Sequence, residues 1–231
     1  MTIELLPVEG MPEIRAGDVL ADLITERIAL RDGDVLVVTQ KVVSKAEDRL
    51  VTIDRDDVAA RKALVERESV RVLRRRGDLI ISETTHGFVC ANAGIDLSNV
   101  ESGRAALLPV DPDRSARRIR DGVRARAGVE MGVIVSDTFG RAWRRGLTDV
   151  AIGCAGVAAI IDLRGTVDAF GREMQVTEVA VADELAAAAE LVMGKVDGIP
   201  AAVVRGVDPT WLRESSVRAE LVRPSAEDLF R

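Results

Sequence analysis

Asp34-Val35-Leu36-Val37-Val38-Thr39, entered through the turn Arg31-Asp32-Gly33, is the stretch that decides the fold. A short apolar run rich in β-branched residues, opened by turn residues, reads as a buried strand. Asp78-Leu79-Ile80-Ile81-Ser82, Ala105-Ala106-Leu107-Leu108-Pro109-Val110, Met131-Gly132-Val133-Ile134-Val135-Ser136 and Pro200-Ala201-Ala202-Val203-Val204-Arg205 read the same way. Several buried strands require a central sheet.

Helical spacing fills the gaps between them. Val58, Val65 and Val72 recur on one face of a segment otherwise rich in Arg, Lys and Glu. Ala116, Ile119, Val123 and Ala127 recur in the next, with Asp111 placed to cap it, Pro112 at its first position and Gly128 at its end. Val181, Leu185, Ala188 and Val192 recur in the last, with Thr177 as its expected cap and Gly194 as its stop. The extended, glycine-containing pieces between Glu83 and Asp96 and between Phe139 and Arg172 do not fit a plain strand-helix repeat, so the fold is read as α+β with mixed sheets and packed helices. The length is read as one unit over residues 1–231, with room for a two-lobed organisation. Phe-Gly-Arg occurs at Phe139–Arg141 and again at Phe170–Arg172, an echo read as turn chemistry rather than a repeat.

Composition narrows the classes of function. The 47% hydrophobic and 30% charged residues suit a globular protein, and a net charge of -6 without a basic block argues against binding to a nucleic-acid backbone. The start, Met1-Thr2-Ile3-Glu4-Leu5-Leu6, lacks a basic region followed by an export-length apolar stretch. The apolar run from Val150 to Ile161 is interrupted by Gly153 and Gly156 and is too short to span a bilayer. A cytoplasmic protein with no membrane partner is expected. Cys90 and Cys154 lie far apart without a CxxC and read as buried apolar residues. His86 is the single imidazole and no Gly-x-Ser-x-Gly occurs, which disfavours a Ser-His-Asp hydrolase and a multi-histidine zinc site. The chemistry is left to carboxylates, lysines, hydroxyls and a metal.

Three clusters offer such groups. Thr39-Gln40-Lys41-Val42-Val43-Ser44-Lys45 leaves a buried strand, and a helical turn would put Lys41 and Lys45 on one face as point charges for phosphate; a solvated lysine pair is the plainer alternative. In Cys90 to Val100, Asp96 offers an anionic oxygen and Asn99 an amide, although an Asx turn explains both equally well. Asp137 ends an apolar strand, beside Thr138 and before Arg141, Arg144 and Arg145, a placement suited to holding Mg²⁺ or Mn²⁺ against phosphate. Neither common phosphate loop is present: Gly194-Lys195 is followed by Val196, Ala189 replaces the first glycine, and no Gly-x-Gly-x-x-Gly occurs. The six arginines around the helix from Pro112 to Ala127 read as a solvated face.

Taken in order, Gly33 to Lys45, Ala93 to Val100, Ser136 to Arg144 and Thr177 to Leu185 resemble the coenzyme F420:L-glutamate ligase family, the likeness running from about Leu5 to Gly206. The resemblance implies a fold particular to that family, an intertwined homodimer, and a GTP-dependent ligase. That enzyme adds L-glutamate, then further γ-linked glutamates, to the deazaflavin coenzyme F420-0 through an acyl phosphate, releasing GDP and phosphate. It also implies that Asp96 and Asp137 hold one divalent metal and Thr138 a second, Mg²⁺ or Mn²⁺, with potassium as a further candidate. GTP contacts are implied at Met11, Pro12, Glu13, Ile14, Gln40, Lys45 and Asn99. Asp96, Asp137 and Lys45 are expected to carry the catalysis, while Lys195 has no assigned role. With the sequence read as ending at Arg231, the flavin-reductase-like domain that some members carry is not expected. On the residues alone, a metal-dependent phosphohydrolase and a non-catalytic deazaflavin or nucleotide carrier remain open.

Overall fold

The computed structural model describes residues 2–97 and 103–229. In chain order the elements are β1 (Glu4–Pro7), α1 (Leu20–Thr25), β2 (Val35–Thr39), α2 (Gln40–Ala46), β3 (Leu50–Thr52), α3 (Val58–Arg67), β4 (Ser69–Arg76), β5 (Leu79–Thr84), β6 (Val89–Ala91) and β7 (Arg104–Ala106). There follow α4 (Pro112–Ala127), β8 (Gly132–Gly140), β9 (Leu147–Ala155), β10 (Ile161–Asp162), β11 (Glu178–Val179), α5 (Val181–Met193), β12 (Ala201–Arg205) and α6 (Val217–Glu220). Mixed sheets and packed helices make this an α+β architecture.

The central sheet has the order β1-β12-β2-β8-β9. Val35, Leu36, Val37 and Val38 are fully buried there, each side chain contributing roughly 1.5–3 kcal/mol of burial. Asp34, at the entry to β2, is buried too, and its carboxylate accepts two 2.8 Å hydrogen bonds from the Arg205 guanidinium of β12. β2 and β8 run parallel in the register Val35↔Gly132 to Thr39↔Ser136, whereas β12 and β9 are antiparallel to their neighbours. The one parallel pair therefore delivers the residues after Thr39 and after Ser136 to the same end of the sheet, where open α/β sheets leave a crevice for ligands.

α4 caps as expected. Asp111 accepts from the Arg114 amide at 2.9 Å, Pro112 opens the helix and Gly128 closes it at φ 70°, although Ala127 is exposed. Asp113, buried in the first turn of α4, accepts from the amides of Cys154 and Val217, joining α4 to β9 and α6. Three expectations change. α3 ends at Arg67, and Val72 lies on β4, which pairs with β5 around Gly77 at φ 61°. Val58 and Val65 do lie on α3, but the glycine turn at Gly77 pairs the segment from Ser69 with β5 and draws Val72 into a hairpin. α5 starts at Val181 without a side-chain cap from Thr177, and it buries Ala186 and Ala189 in preference to Ala188 and Val192. After Ala106 the expected strand leaves its ladder, and the Leu107 carbonyl instead accepts from Gln40 Nε2 at 3.0 Å and Ser44 Oγ at 2.6 Å.

Smaller sheets, β4-β5-β6 and β3-β7, form beside the central one over their own apolar clusters. Both cysteines are free and buried. Among the described residues no helix is long and apolar enough to cross a membrane.

Candidate active site

Beyond the carboxyl ends of β2 and β8 opens a cavity of about 790 Å³. Its walls carry Met11, Pro12, Glu13 and Ile14 from the segment before α1, Gln40, Lys41 and Lys45 from α2, Asp96, and Asp137 and Thr138 from β8. Asp149 of β9, Glu190 of α5 and Lys195 complete the charged lining. Five carboxylates thus face three lysines.

Each group is aimed by a local feature. Asn92, Ala93 and Gly94 all have left-handed backbones, at φ 50°, 53° and 69°, a strained turn that Asn92 pins by accepting from the Ile80 amide. The chain then exchanges two backbone hydrogen bonds between Asp96 and Ala106, which fixes Asp96 at the rim with its carboxylate 2.8 Å from Lys41 Nζ. Between Val135 and Ser136 the β8–β9 ladder shifts register, and beyond the bulge Thr138 stands opposite Asp149. The buried Asp149 carboxylate accepts from Ser136 Oγ at 3.1 Å, Thr138 Oγ1 at 2.7 Å and Lys195 Nζ at 2.8 Å.

The electrostatics leave Asp137 under-compensated. Burial pushes its carboxyl up to about 7, with Asp96 and Asp149 adding to the shift, while the Thr138 amide and Lys195 oppose it. Burial also works against the Lys195 charge, but hydrogen bonds to Asp149 and Glu190 outweigh it and hold the ammonium above the usual lysine range. Burial pushes the Cys90 thiol up to about 12, Asp137 adding to it, so this cysteine in the cavity wall is not a thiolate nucleophile.

A divalent cation fits at Asp96 and Asp137. Asp96 already has Lys41 beside it, whereas Asp137 is held toward its neutral form, and a divalent ion between the two would add the charge that favours both being ionised. Among the described residues no three His, Cys, Asp or Glu side chains are gathered into a metal cage. Mg²⁺ in phosphate-handling sites is commonly held by one or two carboxylates together with substrate oxygens, which needs no such cage. A second ion on Thr138 does not fit beside the Lys195 ammonium, which lies 2.6 Å from that hydroxyl and 2.8 Å from the Asp149 carboxylate.

The sequence matches the family model described as F420-0:Gamma-glutamyl ligase over residues 10–206. It is 45% identical to the coenzyme F420:L-glutamate ligase of Methanothermobacter thermautotrophicus, with the whole of both chains covered. It is 43% identical to the protein of that name from Methanopyrus kandleri and 44% identical to that from Archaeoglobus fulgidus, in each case over its whole length and at least 97% of the relative's. The chain belongs to the F420-0:gamma-glutamyl ligase family.

Of the residues singled out by resemblance to that family, the structure brings Met11 to Ile14, Gln40, Lys45, Asp96, Asp137 and Thr138 into one cavity. Asn99 lies outside the described residues. Gln40 is buried with its amide nitrogen committed to Ser44 and Leu107, so it fixes α2 against the following wall. Lys41 and Lys45 do not act as one pair: Lys41 meets Asp96 and Lys45 meets Glu13. Asp149 and Glu190 were not anticipated. An aspartate bordering the apolar run from Val150 was the only signal for Asp149, and the pairing with β8 is what gives it meaning.

Proposed function

We propose that this chain is a GTP-dependent ligase that joins L-glutamate to the carboxylate of coenzyme F420-0 and extends the product through γ-linkages. The observation that carries the reading is the convergence of Asp96, Asp137 and the buried Lys45 on one cavity at the end of the parallel strand pair. Family membership supplies the substrate class. A carboxylate does not condense with an amine at neutral pH, so the acid must first accept the γ-phosphoryl group of GTP, giving GDP and an acyl phosphate. The glutamate amine then attacks the acyl carbon, phosphate departs with the C–O bond electrons, and the amine gives up a proton.

Asp96 and Asp137 would hold Mg²⁺ or Mn²⁺, which would neutralise phosphate charge during transfer. Lys45 would hold phosphate as a point charge, a reading supported by its burial and by its contact with the Glu13 carboxylate, which would keep the ammonium in position until the nucleotide arrives. Met11 to Ile14 line the approach, and Asn99 is proposed as a further nucleotide contact. Phe139, Leu147 and Ile199 give the cavity apolar wall, which would limit water attack on the acyl phosphate. The protein is also proposed to act as a homodimer, which sedimentation velocity would check.

The test is incubation with GTP, Mn²⁺ and F420-0, with and without glutamate and potassium, followed by mass spectrometry. Product mass rising in glutamyl steps supports the ligase. Phosphate release that ignores glutamate would establish a phosphohydrolase, and tight binding without turnover a carrier.

A further inference from the structure

We infer that the ammonium of Lys195 occupies the place that family resemblance gives to a second divalent ion, so that this site works with one divalent ion and one built-in cation. The inference rests on the ligase reading, which is what calls for positive charge against phosphate. It departs from that reading in assigning part of the charge to the chain itself.

The geometry is that of a filled cation site. A lysine ammonium has three N–H donors, and here all three have an oxygen within reach: Thr138 Oγ1 at 2.6 Å, Asp149 Oδ1 at 2.8 Å and Glu190 Oε1 at 2.7 Å. Those oxygens come from β8, β9 and α5, so the site is built from three elements of the fold. Two carboxylates and a hydroxyl are also a hard-cation donor set. Thr138 spends its own proton on Asp149 Oδ1 at 2.7 Å, and one of its two lone pairs accepts from Lys195, which places the ammonium against that oxygen. A dication on the same oxygens would sit at about 2.0–2.6 Å from them. It would overlap the ammonium and be repelled by it, so the two exclude each other.

The lysine is delivered there by the backbone. α5 ends at Gly194 with φ 62° and ψ 170°, a conformation that only glycine adopts readily, and the chain turns back toward the cavity at the next residue. A Cβ at Gly194 would stand 2.2 Å from Asp197 Oδ2. The Lys195 side chain is 54% exposed while the Asp149 side chain beneath it is 1% exposed, so the ammonium covers a buried carboxylate from the open side. With three rotatable donors it can exchange one carboxylate contact for a phosphate oxygen when a nucleotide enters.

The test counts bound Mn²⁺ per chain after equilibrium dialysis with GDP, which occupies the nucleotide site without turnover, on protein shown to be folded by its thermal transition. Wild type is expected to hold one Mn²⁺, Lys195→Ala two, and Lys195→Ala combined with Asp149→Asn one again. A wild type that holds two ions overturns the inference, as does any Lys195→Ala protein that gains none. A wild type holding none while Lys195→Ala holds one would sustain the inference and defeat the assignment of Asp96 and Asp137. Asp137→Asn in the same dialysis separates the two, because it should remove the wild-type ion without affecting the ion gained at Lys195→Ala.

Discussion

The Lys45 ammonium lies 2.5 Å from the Glu13 carboxylate, and of the two only the lysine is buried. The asymmetry means that Glu13 can swing into solvent at small cost, whereas Lys45 must keep an anion beside it. An incoming phosphate would take over that role. Lys45→Met is therefore expected to weaken GTP binding by about 10- to 100-fold, the worth of one hydrogen bond to a charged group. Glu13→Gln should leave it unchanged or tighter. Calorimetric titration with GTP checks both, and a loss of affinity in Glu13→Gln equal to that in Lys45→Met would refute the placeholder role.

Asp137 gives a pH signature in metal-free protein. Its carboxyl is raised from 3.8 to about 7, chiefly by burial, so the folded chain retains a proton there that the unfolded chain releases above 3.8. The stabilisation from this group is complete below about pH 4 and is lost as pH rises to 7. In EDTA at pH 8, Asp137→Asn should melt above wild type by at least about 2 °C, since a half-buried, under-compensated anion is removed. At pH 4 the two should coincide, and saturating Mn²⁺ should reverse the order at pH 8. Equal melting temperatures in EDTA at both pH values would argue against the shift.

Gly153 is where β9 meets the start of α4. A Cβ there would lie 2.3 Å from the Pro112 carbonyl carbon and 2.6 Å from the Asp113 amide nitrogen, both backbone atoms that cannot swing aside. Gly153→Ala should cost about 3 kcal/mol or more, lowering the melting temperature by roughly 6–12 °C. Because β9 pairs with the β8 segment that carries Asp137, the variant should also bind Mn²⁺ more weakly. A melting temperature within 2 °C of wild type, on about the scale of 1 kcal/mol or less, would show that the contact is looser than described.

His86 is the only imidazole in the chain, so its resonance needs no assignment. Burial lowers its pKa below 6.5, partly offset by hydrogen bonding to Pro109 and Val110. Its ring stacks on Phe88 with centroids 5.6 Å apart, and Nε2 donates to the Pro109 carbonyl at 2.9 Å. Stability from the neutral ring is present above pH 6.5 and falls as pH drops through the folded value. Heteronuclear NMR should give a midpoint below 6.5; one at or above 6.5 would contradict the packing.

The sheet was legible because Val35 to Val38 and Val133 to Val135 are apolar without interruption, a pattern that needs no partner to be read. α4 was legible through Asp111, Pro112 and Gly128, whose effects are local. Val72 misled because its spacing from Val65 continues a helix face, whereas the helix stops at Arg67 and the pairing of β4 with β5 across Gly77 depends on residues further along the chain. Asp96, Asp137 and Lys45 were picked out as residue types following strands or loops, and through their resemblance to a family.

Amino-acid order by itself determined which segments bury their side chains, where the helix of residues 112–127 begins and ends, and which family the chain belongs to. All of these depend on interactions between residues near in sequence or on similarity along the chain. Only the tertiary structure decided that Asp149, Glu190 and Lys195 share the cavity with Asp137, and that Thr138 already has two partners. Those contacts depend on the bulge at Ile152 in β9, the antiparallel register of β9 with β8 and the turn at Gly194. Long-range pairing and single-residue register shifts leave little trace in local patterning, because a slip of one residue turns every later side chain to the opposite face.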